Sequence, residues 1–185
     1  MTKVLCFGDS NTYGYIPTTG GRYDKNTRWT GILSNHFEVI EAGANNRHAF
    51  SESPKLLIEY MKTNPDIVIL AIGINDTQKF FNTDIKGAIE KLIDIALPSS
   101  VILVAPSVLD ENILRHPIFS TMFDESSIEK SKKLPEIYSQ IAQNKSCKFL
   151  DLNSCTQPSK IDGLHYEPEQ HKIIAEKLHH LLLNP

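Results

Sequence analysis

The 185-residue chain has only three cysteines, Cys6, Cys147 and Cys155, and no two of them form a CxxC pair. An odd number of scattered thiols excludes a disulfide framework and reads as reduced cysteine in a cytoplasmic protein. No His and Cys spacing suggests zinc, and neither a metal nor another cofactor is expected. No apolar run approaches the ~20 residues that a membrane span needs, so no membrane association is expected. Met1 to Gly8 lacks the apolar stretch of a signal peptide and reads as a first strand. Charge of one sign is also missing: 19 Lys and Arg face 22 Asp and Glu, a formal net charge of -3. A phosphate-binding surface needs a basic excess, which excludes nucleic acid as a main partner. Gly8 and Gly14 do not form a phosphate-loop glycine pattern, so nucleotide binding is not expected.

The remaining composition is that of a soluble globular protein, with 41% hydrophobic and 22% charged residues. The length suits one domain over residues 1–185, and no repeat, low-complexity tract or linker divides it. Strand and helix patterns alternate. Strands are expected at Val4–Gly8, Phe37–Ala42, Asp66–Gly73, Val101–Ala105 and Cys147–Leu150. Helices are expected at 28–37, 54–62, 83–97, 127–143 and 167–183. Asp66–Gly73 (DIVILAIG) is continuously apolar, as a strand covered on both faces would be. Pro168 sits near the start of the last helix, where a missing N–H costs little. The alternation predicts a three-layer α/β/α architecture around a five-stranded parallel sheet in the flavodoxin-like order 2-1-3-4-5. Ser107 to Asp124, rich in Pro, His and Phe, is the least regular stretch; such segments are usually functional or form interfaces.

In sheets of this kind, ligands bind at the carboxyl ends of the strands. Gly8-Asp9-Ser10-Asn11 follows the first strand, Gly43-Ala44-Asn45-Asn46-Arg47 the second, and Gly73-Ile74-Asn75-Asp76 the third. Asp162-Gly163-Leu164-His165 precedes the last helix. Each segment alone has a plainer reading as a cap or a turn. Together, and in order, they supply the parts of a serine hydrolase. A serine attacks, an imidazole takes its proton, a carboxylate fixes the tautomer, and fixed N–H groups hold an oxyanion.

The same residues resemble the SGNH hydrolases, or GDSL-type esterases and lipases, over nearly the whole chain. Gly8-Asp9-Ser10-Asn11 matches the first family block, with Asn11 at the namesake leucine. Gly73-Ile74-Asn75-Asp76 matches the third and Asp162-Gly163-Leu164-His165 the fifth. FGDSNTYG from Phe7, RWTGIL from Arg28, FEVIE from Phe37 and His116-Pro117 are similar to the short-chain arylesterase and acyltransferase branch. The resemblance implies Ser10 as nucleophile, His165 as base and Asp162 as its orienting carboxylate. It implies an oxyanion hole of the Ser10 N–H, a backbone N–H after the second strand, and the Asn75 amide. The family usually has glycine at the second donor. Here Asn46 takes that place, because asparagine tolerates unusual backbone angles, and Gly43 is the alternative. Arg28 and Trp29 are expected to support the site or a neighbouring subunit, with ordinary packing and solvent exposure as the other reading. Phe119, Phe123 and Leu164 are expected to wall a small acyl pocket. His36, His48, His171, His179 and His180 are expected to be surface or packing residues.

The expected activity is hydrolysis of small, acetyl-like esters through an acyl-enzyme, with acyl transfer to an alcohol open to the same intermediate. Thioesterase or lysophospholipase action is the alternative within the fold. A binding module that has lost catalysis is the alternative from another class. The expected partner is a small ester, and a homo-oligomer is left open.

Overall fold

The computed structural model describes residues 1–183; the expected domain end at residue 185 lies outside them. The strands are β1 (Lys3–Gly8), β2 (Glu38–Gly43), β3 (Ile67–Ala71), β4 (Ser100–Ala105) and β5 (Lys148–Asp151). They pair in parallel in the order β2-β1-β3-β4-β5. The helices are α1 (Ser10–Tyr13), α2 (Trp29–Leu33), α3 (Ser53–Met61), α4 (Ile85–Ala96), α5 (Glu125–Lys145) and α6 (Pro168–Leu183). This is the expected three-layer α/β/α architecture, with the sheet in the expected order 2-1-3-4-5.

Alternation of side chains along each strand divides the core in two. Leu5, Phe7, Val68, Leu70 and Leu103 point to one face, where Leu57 of α3, Ile89 and Leu92 of α4, and Leu134 and Tyr138 of α5 cover them. Val4, Cys6, Ile69, Ile102 and Val104 point to the other, under Trp29 and Leu33 of α2 and Ile174 and Leu178 of α6. A strand apolar at every position is what two covered faces require. Among the described residues, no helix is long and apolar enough to cross a membrane.

Helix boundaries depart from expectation in three places. The helix expected over 28–37 stops at Leu33, where the Ser34 hydroxyl donates to the Gly31 carbonyl at 2.6 Å and the chain turns back into β2. α5 starts earlier than expected because Asp124 and Ser127 form a capping box, and it runs on past Pro135 to Lys145. α1 is a single turn that no periodicity could announce. The irregular segment after β4 holds two 3-10 turns, Glu111–Arg115 and Phe119–Thr121. It lies against the histidine loop, where the Asp110 N–H donates to the Gly163 carbonyl at 2.9 Å.

The end of β2 meets α1 at unusually close range. A Cβ on Gly43 would fall 2.2 Å from the Tyr13 backbone nitrogen and 2.5 Å from the Thr12 carbonyl carbon. Neither obstacle is a flexible side chain that could swing away. Gly43→Ala should therefore destabilise the fold by about 1–3 kcal/mol through overpacking. Gly21→Ala is the control, since its Cβ would meet nothing nearer than 3.3 Å. Denaturant midpoints of both variants against the wild type measure the difference. A Gly43→Ala midpoint equal to that of the control would show that α1 is not seated as described.

Candidate active site

The order of the sheet reverses at β1, so the loops after β1 and β3 open a crevice at their carboxyl ends. Gly8 lets the chain leave β1 abruptly: a Cβ there would lie 2.0 Å from Thr12 Oγ1 and 2.3 Å from the Ala71 carbonyl oxygen. Asp9 then caps α1, its carboxylate accepting from the Asn11 N–H at 3.0 Å. Capping is thus the work of Asp9, which leaves Ser10 free to turn elsewhere. Its Oγ lies 2.8 Å from Nε2 of His165. Nδ1 of the same ring lies 2.6 Å from Oδ2 of Asp162. The other Asp162 oxygen accepts from the Leu164 and His165 N–H groups, each at 2.9 Å. Asp162 therefore fixes both the loop and the ring. The ring bond to its carboxylate places the proton on Nδ1 and leaves Nε2 as an acceptor for the Ser10 hydroxyl. All three side chains are buried: Ser10 4%, His165 2% and Asp162 0% exposed.

Burial pushes the His165 pKa below the ordinary imidazole value, against the bond and charge of Asp162 that raise it. Burial also pushes the Asp162 carboxyl up, but the bonds and charge of His165 outweigh it and hold the pKa below the usual range. Two other carboxyls behave differently. Burial raises Asp9 to about 7. Burial also raises Asp76 to about 6, although the Ala49 N–H donates to it at 2.8 Å.

The loop after β2 closes the other side of the crevice. Arg47 anchors it by donating to the Gly8 carbonyl at 3.1 Å and to the Ala42 carbonyl, with its guanidinium 4.6 Å from the Phe7 ring centre. Asn46 holds a left-handed backbone with φ 56°. Among the described residues, neither the Ser10 N–H nor the Asn46 N–H donates an internal hydrogen bond. Asn75 donates one amide hydrogen to the Arg47 carbonyl at 3.0 Å. An amide nitrogen carries two, so a second remains. Gly43, by contrast, is committed to its close contact with α1.

These groups meet at a cavity of about 90 Å³ lined by Ser10, Tyr15, Asn45, Asn46, Asn75, Phe119, Met122, Phe123, Leu164 and His165. Phe119, Phe123 and Leu164 all lie on its wall. Sequence reasoning missed Tyr15 and Met122. The Tyr15 ring stacks on His165, with centroids 4.0 Å apart and planes at 27°. Phe119 approaches the imidazole at 5.2 Å and meets the Tyr15 ring edge-on at 6.2 Å, and His116 stacks on Phe119 at 4.5 Å. Tyr15 sits in a loop closed by its pairing with Arg22, and no spacing in the sequence marks it.

Supporting residues lie behind the site. Trp29 is buried, and its indole N–H donates to the Asn11 carbonyl at 3.1 Å. The Asn11 amide donates to the Leu164 carbonyl at 3.3 Å, joining the serine turn to the histidine loop. Nδ1 of His171 accepts from the Trp29 N–H at 3.4 Å, and burial lowers that imidazole to about 4. Arg28 is not left to solvent: its Nε and Nη2 donate to the Glu41 carboxylate at 2.8 and 2.7 Å. His48 packs against Phe50 and Phe81, and His36 lies 4.6 Å from His179. His180 stands near the end of α6.

The chain has relatives of known structure. It is similar to an aryl esterase of M. smegmatis, with 26% identity, 99% of each chain covered and a TM-score of 0.92. It is similar to a carbohydrate acetylesterase from Sinorhizobium meliloti, with 28% identity, 98% of this chain and 100% of that chain covered, and a TM-score of 0.89. A lipase/acylhydrolase from Enterococcus faecalis shares the fold, with 19% identity, 98% and 95% coverage and a TM-score of 0.78. No functionally curated protein matches the sequence. The model of the GDSL-like lipase/acylhydrolase family matches residues 6–173. With that match over most of its length, the chain belongs to the GDSL-like lipase/acylhydrolase family and is a carboxylic ester hydrolase.

Proposed function

We propose that the protein is a serine esterase acting on small, acetyl-like esters, with Ser10, His165 and Asp162 as its catalytic triad. The carrying observation is the unbroken relay from Ser10 Oγ at 2.8 Å to His165 and at 2.6 Å on to Asp162, opening on the cavity. In the first half-reaction His165 Nε2 takes the Ser10 proton as Oγ attacks the ester carbonyl. The tetrahedral oxyanion is held by the Ser10 N–H, the Asn46 N–H and the second amide hydrogen of Asn75. Collapse breaks the bond to the alcohol oxygen, which receives the proton from His165. Water then attacks the acyl-enzyme with His165 again as base, and an alcohol in its place would give acyl transfer. The reading needs no metal or other cofactor.

Cavity size supports a short acyl group. An acetyl group fits a cavity of about 90 Å³ walled by Phe119, Phe123 and Leu164. The kinship with a carbohydrate acetylesterase and an aryl esterase supports a sugar or aryl alcohol as the leaving group. Asn45 and Asn46, both exposed residues on the cavity lining, give its mouth a polar rim.

Three outcomes test this reading. Ser10→Ala should fold normally and lose on the order of 10³-fold or more in kcat, because triad members act as a unit. A folded variant with near-wild-type hydrolysis would remove Ser10 from its role. The pH profile of kcat/KM should fall with acid as His165 gains a proton, since only neutral imidazole accepts from the serine. Burial lowers the His165 pKa, so the half-maximal point should lie below the ~6.5 of a free imidazole. A midpoint well above that would contradict the burial of the ring. Among p-nitrophenyl esters the wild type should prefer acetyl, and Phe123→Ala should move the optimum to longer chains. Phe123 is 1% exposed within the single chain, so its burial needs no second subunit. A wild-type preference for octanoyl would end the small-pocket reading.

A further inference from the structure

Asn46 presents a problem of its own. A residue with a Cβ resists the left-handed region, and φ at Asn46 is 56°. Asparagine tolerates that region better than most residues, but tolerance alone does not select it over the extended alternatives. Some further interaction must hold the peptide with its N–H toward the cavity.

The structure supplies one in Gln78, a buried residue that is 3% exposed and lies just past the 3-10 turn Asn75–Thr77. Its Nε2 donates to the side-chain oxygen of Asn46 at 2.8 Å and lies 3.4 Å from the side-chain oxygen of Asn75. One amide nitrogen, with two hydrogens, thus bridges the two asparagines to which the proposed mechanism assigns oxyanion donors. The reverse orientation of the Gln78 amide would set its carbonyl oxygen against two acceptors, so the network fixes which way it points. The same argument fixes Asn75. Its oxygen faces Gln78, so its nitrogen faces the Arg47 carbonyl and the cavity.

Gln78 is itself held firmly. Its N–H donates to the Asn75 carbonyl at 3.1 Å, and its own carbonyl accepts from the Phe81 N–H at 3.1 Å and from Lys130 Nζ at 3.4 Å. Lys130 reaches from α5 and also donates to the Phe81 carbonyl at 2.8 Å. The bridging amide therefore stands on a braced backbone.

We propose that Gln78 is a positioning residue of the oxyanion hole. Its amide tethers Asn46 in the left-handed conformation that turns the Asn46 N–H to the substrate, and it orients the Asn75 amide alongside. The proposal rests on the esterase reading with Asn46 as second donor. Gln78 touches no reacting atom and acts only through the two asparagines.

A kinetic double-mutant cycle tests it, with p-nitrophenyl acetate as substrate. Gln78→Leu should lower kcat by about tenfold or more with little change in KM, because a misplaced oxyanion donor is felt mainly in the transition state. Glycine adopts positive φ without a tether. In an Asn46→Gly background the same Gln78→Leu change should therefore cost much less, about threefold or below, the coupling expected of residues in one network. Gln78→Glu, of nearly the same shape, is the second probe if Gln78→Leu does not fold. It turns an acceptor toward both asparagines and should lower kcat at least as far. An equal cost of the Gln78 change in both backgrounds would overturn the tether, as would a kcat unaffected by either substitution. A loss confined to KM would overturn it as well. The underlying reading is checked separately by wild-type hydrolysis and by fluorophosphonate labelling that vanishes in Ser10→Ala. If those succeed and the cycle shows no coupling, only the role of Gln78 falls.

Discussion

The active site depends on one constraint, the register of three parallel strands. In the ladder Gly8 stands opposite Gly43 on one side and Ala71 on the other. The strands therefore end at the same height, and the segments that follow them start from a common rim. Parallel strands all deliver their carboxyl ends to one side, and the order 2-1-3 sends the chain away from β1 in two directions. Ser10, Asn46 and Asn75 come together because each lies a few residues beyond its own strand. A slip of one residue in β1 would carry Ser10 to the opposite face of the sheet. The tight packing around Gly8 and Gly43 protects that register.

Above this rim the protein buries polar groups and must satisfy them. Asp162 accepts two backbone N–H groups with one oxygen and the imidazole with the other, so its charge has three partners. Burial raises both Asp9 and Asp76 despite the backbone N–H groups that donate to them. Their duties are local: Asp9 caps the serine turn and Asp76 clamps the loop after β2 at Ala49. Buried polar groups of this kind are costly in a low dielectric unless bonded, and bonded they hold one geometry. The same logic extends outward through Asn11, Trp29 and His171, which connect the serine turn to the histidine loop and to α6. The imidazole at the centre packs against two aromatic rings, Tyr15 stacked on it and Phe119 tilted beside it.

The aromatic wall has a second consequence. Phe119 and Phe123 come from the irregular segment after β4, and Leu164 from the histidine loop. The two segments are joined by the bond from the Asp110 N–H to the Gly163 carbonyl. The wall of the cavity and the placement of His165 are therefore set by the same pair of loops. A change that widens the cavity risks disturbing His165, unless it falls at a position such as Phe123 that does not carry the ring.

Much was legible in the sequence for a physical reason. Apolar runs of strand length, turn residues after each, and amphipathic spacing between them reflect local rules, and right-handed crossovers leave few ways to assemble them. The order 2-1-3-4-5 followed, and so did the rim that carries Ser10, Asn75, Asp162 and His165. Helix ends were less legible, because α2 ends on a serine hydroxyl and α5 begins on a reciprocal cap, both details of single hydrogen bonds. The parts that only the tertiary structure decided depend on residues far apart in the chain. Tyr15 stacks on His165 across 150 positions, and nothing near Tyr15 records it. Arg28 could be read as solvent-exposed until β2 brought Glu41 beside it. Asn46 lines the cavity and Gly43 does not, a difference that packing makes, and the role proposed for Gln78 rests on an amide lying between two others. Local sequence determines which elements form. Only packing determines which side chains meet, because contacts at the rim are made between loops that share no sequence neighbourhood.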